Sequence, residues 1–378
     1  MNDDAPVPEY DRVVGAPHPR ETQQLYGQAV AEAAFLTALN TGRLHHGWLI
    51  TGPRGIGKAT LAWRIAKLLL TTPPPGSDGL FAENPPPVQS LDIPPDHPVN
   101  RRVAALSEPA LFLLRPIWDI EKKRFKNGIT VDEVRKMKGF FNHSAADGGR
   151  RVVIVDSVDD MNTNAANALL KILEEPPVNA TLLLVSHQPS RLLPTIRSRC
   201  RELRCAVLPT EDMANAMTAA GADSGSNTGA LTELSGGSAG EAVRLRNLGG
   251  MQTYADIINL FSDLPNMNRP KALKLAESAV GKTKSDQFDL ILRLMDIFLA
   301  RTARTGVSGP ALVEASPGES TLMQRLAPDA NAGRIWAELQ QTLSERARHG
   351  QAVNLDPAAL ILDMFFKINE TAAKTAAR

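Results

Sequence analysis

The chain is expected to adopt an α/β fold, a parallel sheet flanked by helices, followed by a small helical lid and an all-α C-terminal domain. Three observations lead there. Apolar runs at Trp48-Leu49-Ile50, Arg151 to Val155 and Thr181 to Val185 lack polar alternation, the pattern of strands buried on both faces of a parallel sheet. A glycine-rich loop separates the first of these runs from a helical pattern. Beyond about residue 208 the strand pattern stops and helical periodicity takes over.

With 378 residues, two or three units are expected. Basic and acidic residues number 42 and 41, a net charge of +1, which excludes a generally polycationic nucleic-acid binder and leaves only local patches for phosphate contact. Only Cys200 and Cys205 occur, no charged-then-apolar segment opens the chain, and no apolar run reaches the ~18 residues of a membrane helix. A reducing cytoplasm and no membrane partner are the expectation.

Residues 1–20 mix prolines and charges without period and read as an irregular lead-in. Leu25-Tyr26-Gly27-Gln28 leads into AVAEAAFLTALNTG, an amphipathic helix closed by Gly42. The strand at Trp48 runs into Gly52-Pro53-Arg54-Gly55-Ile56-Gly57-Lys58-Ala59-Thr60 and then into the helical LAWRIAKLLL. Strand, glycine loop and helix in this order form a phosphate cradle. Gly52, Gly55 and Gly57 let backbone N–H groups curl round phosphate oxygens, the helix N-terminus adds positive potential, and Lys58 reaches the outer phosphates. The residue after the lysine should carry a magnesium-binding hydroxyl; it is Ala59, and the hydroxyl comes one place late at Thr60, turned about 100° round the helix. The loop is expected to accept ATP or ADP while coordinating magnesium weakly. A purely structural glycine turn is the alternative.

Between Pro73 and Pro98 lie nine prolines, so the insert 73–107 should hold no regular element. His97, a lone histidine in that loop, is given no role. Leu111 to Leu114 reads as a strand, EKKRFK (121–126) as a charged turn or edge, and Ile129 to Phe141 as a helix opened by Thr130 and Asp132. The cluster Lys122, Lys123, Arg124 and Lys126 could meet DNA phosphates, but short charge runs are usually solvated surface.

Asp156 ends the next strand, at the edge where α/β ligand sites lie. Ser157 follows it, and a hydroxyl is neither basic nor long enough to polarise an attacking water as a carboxylate would. Asp159 and Asp160 are assigned to helix capping. A helix from Asn164 to Glu175 packs through Ala165, Ala168, Leu169, Ile172 and Leu173 and stops at Pro176-Pro177. The strand Thr181 to Val185 then delivers Ser186 to the same edge, with His187 beside it assigned no function.

The whole run RRVVIVDSVDDMNTNAANALLKILEEPPVNATLLLVSHQPSRLLPTIRSRC (150–200) resembles the second half of an AAA+ clamp-loader core almost without gaps. A hydrolysing relative would place Glu where Ser157 stands, so the resemblance implies a subunit that helps others hydrolyse ATP. It implies a sensor position at Ser186. It also implies that Arg199, in Ser198-Arg199-Cys200, projects into the ATP site of a neighbouring subunit; a surface ion pair is the alternative. Relatives often carry a four-cysteine zinc module within the insert, and no cysteine occurs there, so no zinc is expected. In the lid, relatives that sense ATP have arginine in a glycine-serine-x-arginine turn; here Gly237-Ser238-Ala239-Gly240 ends in glycine, with Arg244 a turn later.

The domains are accordingly placed at 21–207 for the core, 208–251 for the lid and 252–378 for a helical collar. In the last, NLDPAALILDMFFKI has Asp356 as N-cap, Pro357 at the first helical position and an apolar face of Leu360, Ile361, Met364, Phe365 and Ile368. The resemblance implies partners: ATP-hydrolysing gamma or tau subunits, a delta subunit, the sliding clamp and primed DNA, within the DNA polymerase III holoenzyme. Two rivals stand beside a stator with little or no ATPase activity of its own. One is an active gamma/tau-type ATPase. The other is a nucleotide-regulated DNA-binding scaffold outside replication.

Overall fold

The structure is a computed structural model that describes residues 7–74, 86–142, 149–222, 225–280 and 285–376. Two compact units form, Met1–Asp223 with Ser238–Gly240, and Ser224–Gly237 with Glu241–Arg378.

The first unit contains, in order, α1 (Ala29–Asn40), β1 (Gly47–Thr51), α2 (Lys58–Thr71), α3 (Pro98–Ala104), β2 (Leu111–Leu114), β3 (Trp118–Asp119), β4 (Arg124–Phe125), α4 (Val131–Asn142), β5 (Arg151–Asp156), α5 (Thr163–Glu174), β6 (Ala180–Ser186), α6 (Pro194–Arg197), β7 (Arg201–Arg204) and α7 (Thr210–Ala219). Five strands make a parallel sheet in the order β2-β5-β6-β1-β7, and β3 and β4 pair as a separate antiparallel hairpin. Successive residues of a strand bury opposite faces. Trp48 and Ile50 join Phe35, Trp63, Val152, Ile154 and Leu183 in one apolar cluster, whereas Leu49 joins Val153, Leu169 and Leu182 in the other. Both faces are therefore covered, as the unbroken apolar runs predict.

Two elements differ from the expectation. α3 forms inside the proline-rich insert because Pro98 sits at its first position, where no N–H is needed, and His97 caps it, Nδ1 accepting from Val99 N at 3.2 Å. Residues 75–85 of that insert lie outside the described residues. β7 has no counterpart among the expected strands; its four residues bury only Leu203, too short a run to show a period. The EKKRFK segment forms the turn and second strand of the β3–β4 hairpin.

The second unit holds α8 (Thr228–Ser235), most of α9 (Ala239–Asn247), α10 (Gly250–Phe261), α11 (Arg269–Glu277), α12 (Ser285–Ser308), α13 (Glu319–Leu326), α14 (Ala330–Ala352) and α15 (Pro357–Ala376). Residues 208–251, which the sequence presents as one lid, are thus divided: α7 falls in the first unit, α8 and most of α9 in the second. α12 and α14 approach backbone to backbone, since a Cβ on Gly306 would lie 2.8 Å from Gly333 Cα. Buried Glu319 accepts from Arg301 Nε at 2.8 Å and Tyr254 Oη at 2.5 Å, and Arg301 also reaches Glu233 at 2.7 Å and the Val313 carbonyl at 2.9 Å. No helix among the described residues is long and apolar enough to cross a membrane.

Candidate functional site

Because the sheet is parallel, the ends of β1, β5 and β6 meet at one edge. Thr51 pairs in register with Ser186, and Asp156 with Val185. The loop leaving β1 runs through positive φ at Gly52 (138°), Gly55 (77°) and Gly57 (101°), backbone that side chains resist. Lys58 opens α2, and its ammonium donates to the carbonyls of Gly52 at 2.7 Å and of Pro53. Burial pulls Lys58 down to about 8, against the opposing influence of Cys205, Asp156 and Asp159. Thr60 is half-buried one position beyond Ala59.

Asp156 is pushed up to about 7, by burial first and then by Asp11 and Asp160, against Lys58 and Arg115. Ser157 donates its hydroxyl to Asp160 Oδ2 at 2.9 Å. Sequence alone assigns the acidic pair to helix capping, and the structure corrects this. Asn162 caps α5, accepting from Ala165 N at 2.9 Å. Asp159 instead accepts from Ser186 Oγ at 2.9 Å, His187 N at 2.5 Å and Gln188 N at 3.3 Å, fixing the turn after β6. Ser186 is fully buried with its hydroxyl proton committed to that carboxylate. His187 is held down to about 4, by burial and then by Lys58 and Arg54, and its Nδ1 is buried with no hydrogen-bond partner in the structure.

Residues that sequence reasoning missed come from the lead-in. Glu9, Asp11, His18, Arg20 and Arg115 form a cluster: Asp11 accepts from Arg115 and lies 3.1 Å from His18 Nε2, and Glu9 meets Arg20 at 2.5 Å and Arg115 at 3.1 Å. Fully buried His18 meets the Trp63 ring edge-on at 6.1 Å. Tyr10 packs on Phe125 at 5.3 Å, and its hydroxyl interacts with Asp160 and Arg54. This strap therefore reaches both the glycine loop and the end of β5. Its anchors carry no helical or strand period, so no pattern announces them. Gln28 is the second omission: its Nε2 donates to the carbonyls of Ile56 at 3.1 Å and Ala206 at 2.8 Å, and its Oε1 accepts from Ala206 N at 2.9 Å.

The turn that lacks arginine touches the glycine loop directly. Ser238 Oγ donates to the Arg54 carbonyl at 2.8 Å and Gly240 N to the Gly55 carbonyl at 2.9 Å. A Cβ on residue 240 would stand 3.0 Å from Gly55 Cα and 3.6 Å from Val13 Cγ2.

Arg199 lies after α6. Its Nη2 meets Glu174 Oε1 of α5 at 2.9 Å and its Nη1 donates to the Thr195 carbonyl at 3.1 Å, with the side chain about one-third exposed (36%). Its contacts thus lie on α5 and α6 and not around Lys58. No group of three or more histidine, cysteine, aspartate or glutamate side chains among the described residues is arranged to hold a metal ion.

A parallel sheet whose glycine loop, acidic strand end and polar strand end share one edge, with the third of these strands inserted between the first two, defines a P-loop protein of the AAA+ type. Residues 27–209, just under half of the chain, match the family described as DNA polymerase III, delta subunit. It is 38% identical over 217 residues to the delta prime subunit of DNA polymerase III from Pseudomonas aeruginosa, covering 56% of this chain and 59% of that protein. It is 32% identical over 167 residues to the Escherichia coli delta prime subunit, covering 44% of each. The gamma subunit of Buchnera aphidicola matches at 25% over 268 residues, 71% of this chain and 61% of that protein. The chain thus spans about half the length of the delta prime relatives it matches.

Proposed function

We propose that this chain is a clamp-loader subunit of bacterial DNA polymerase III, of the delta prime kind, that acts in DNA replication without hydrolysing ATP itself. Its partners would be gamma or tau subunits, a delta subunit, the sliding clamp and primed DNA. The observation that carries the reading is the end of β5. The position that needs a carboxylate to polarise water holds Ser157, whose hydroxyl is turned to Asp160. Asp156, pushed up towards neutrality, is a weak magnesium ligand, and Ala59 supplies none. The glycine backbone nonetheless suits phosphate, so ATP or ADP binding with weak magnesium coordination is part of the proposal.

Arg199 would act in trans. An exposed ion pair such as Arg199–Glu174 is worth only ~0–1 kcal/mol, so a phosphate group on a neighbouring subunit can take the guanidinium from it. Positive charge delivered to a transferring phosphoryl group is worth ~10³ to 10⁵ in rate. In a reconstituted loader, Arg199→Ala is expected to leave assembly intact and to lower clamp- and DNA-stimulated ATPase by at least ~10³-fold. An unchanged rate at equal complex yield would remove the finger from this chain. The gamma/tau-type alternative draws on Lys58 and Asp156 occupying the expected places; it predicts an ATPase rate from the isolated chain that Lys58→Ala abolishes.

A further inference from the structure

We propose that the outer edge of β2 is a docking site for an extended segment of a partner protein, apolar at alternate positions and acidic at one end, which lengthens the sheet by one strand. Among the described residues β2 pairs only with β5, so it closes the sheet on that side. Val152 N donates to the Ala110 carbonyl at 2.9 Å, which turns the backbone groups of even-numbered residues towards β5 and those of Leu111 and Leu113 outwards. The Leu111 N–H is taken up by the Glu108 carbonyl at 3.2 Å, whereas the N–H and C=O of half-buried Leu113 have no partner among the described residues. A groove of about 430 Å³ runs beside this edge, with Leu106, Leu113, Ile117, Trp118, Ile120 and Phe125 in its walls. Ile120 is 74% exposed and Ile117 42%, so the rim is apolar and open. A free strand edge beside an apolar groove is the geometry that accepts an added strand.

Charge defines the occupant further. The acids of the groove are already engaged: Glu108 accepts from Arg102 Nε at 2.6 Å and Ala110 N at 3.2 Å, and Glu133 from Thr130 N at 2.7 Å. The cations around it are not. Lys136 on α4 and Lys122, Lys123 and Arg124, in the turn that joins Ile120 to Phe125, are exposed and form no ion pair among the described residues. Asp119 and Glu121 share that hairpin, and its cations outnumber them. A strand laid on β2 would bond to Leu113, turn every second side chain into the groove, and place an acidic end against the hairpin turn. Single-stranded nucleic acid is a poorer fit. Phe125 is packed edge-on against both Trp118, at 5.0 Å, and Tyr10, at 5.3 Å, so these rings are engaged with one another and the remaining wall is aliphatic.

The test pans the full chain against a random peptide library and titrates the enriched peptides, synthesised with a fluorescent label, by anisotropy. Enriched sequences are expected to alternate apolar and polar residues and to end in aspartate or glutamate. Ile120→Asp, a change at an exposed side chain that should leave thermal unfolding as in the wild type, is expected to weaken binding by at least ~10-fold. Lys122→Glu combined with Arg124→Glu should weaken it too and remove most of its dependence on salt. Methylating alternate backbone nitrogens of the peptide should abolish binding in one register and spare it in the other, because only one set of N–H groups faces β2. No enrichment over an unrelated protein, affinity unchanged in Ile120→Asp, or equal tolerance of methylation in both registers would each overturn the proposal. Binding of oligodeoxythymidylate that Ile120→Asp abolishes, in the absence of peptide binding, would overturn it as well and give the groove to single-stranded DNA.

Discussion

At the residue scale, Asp156 and His187 oppose each other in pH dependence. Asp156 rises from 3.8 to about 7 on folding, so between those values the folded chain holds a proton the unfolded chain has released, and stability falls as pH rises. His187 falls from 6.5 to about 4, so across that window the unfolded chain holds the extra proton, and stability rises with pH. Relative to wild type, Asp156→Asn should steepen the gain in stability between about pH 4.5 and 6.5, and His187→Gln should flatten or reverse it. Urea unfolding in chelator at several pH values measures both slopes; parallel curves for all three proteins would contradict the assignment. Asp156, Lys58 and Ser157 are legible in the sequence because they stand at fixed offsets from a strand end. Asp159 is visible there too, but its task is not, because its partners, Ser186, His187 and Gln188, lie 27 to 29 positions away.

At the scale of elements, Gln28 joins the glycine loop to the segment after β7 through three hydrogen bonds. Gln28→Ala should destabilise the first unit by ~1–3 kcal/mol, because the carbonyl of buried Ile56 loses its side-chain partner and the Ala206 backbone groups lose theirs; thermal unfolding reads it, and a change below ~0.5 kcal/mol would show the groups to be satisfied otherwise. Gly240→Arg restores the residue type of ATP-sensing relatives but brings its Cβ to 3.0 Å from Gly55 Cα. The expected outcome is lower stability of this unit without a gain in nucleotide affinity, and a rise in affinity would mean that the turn moves aside. Strands β1, β5 and β6 are readable because burial on both faces leaves a continuous apolar run, whereas β7, on the sheet edge, leaves one buried leucine.

For the whole molecule, the division into two units makes separate unfolding transitions testable. Glu319 is buried within the second unit with Arg301 and Tyr254. Glu319→Ala leaves a buried guanidinium without its main partner and should cost ~3–5 kcal/mol, lowering the transition of that unit while leaving first-unit probes, such as Trp48 and Trp63, in place. A single shifted transition seen by every probe would mean that the units unfold together. The helical character of this half is legible from periodicity, but the Arg301–Glu319 pair is not, since 18 residues and a loop separate its members.

The strap of residues 9–18 has a practical consequence for handling the protein. Glu9, Tyr10 and Asp11 have partners that include Arg54 of the glycine loop and Arg115 at the close of β2. A tag or a substitution that disturbs these contacts is therefore expected to change nucleotide affinity, and binding measured on tagged and cleaved protein checks this.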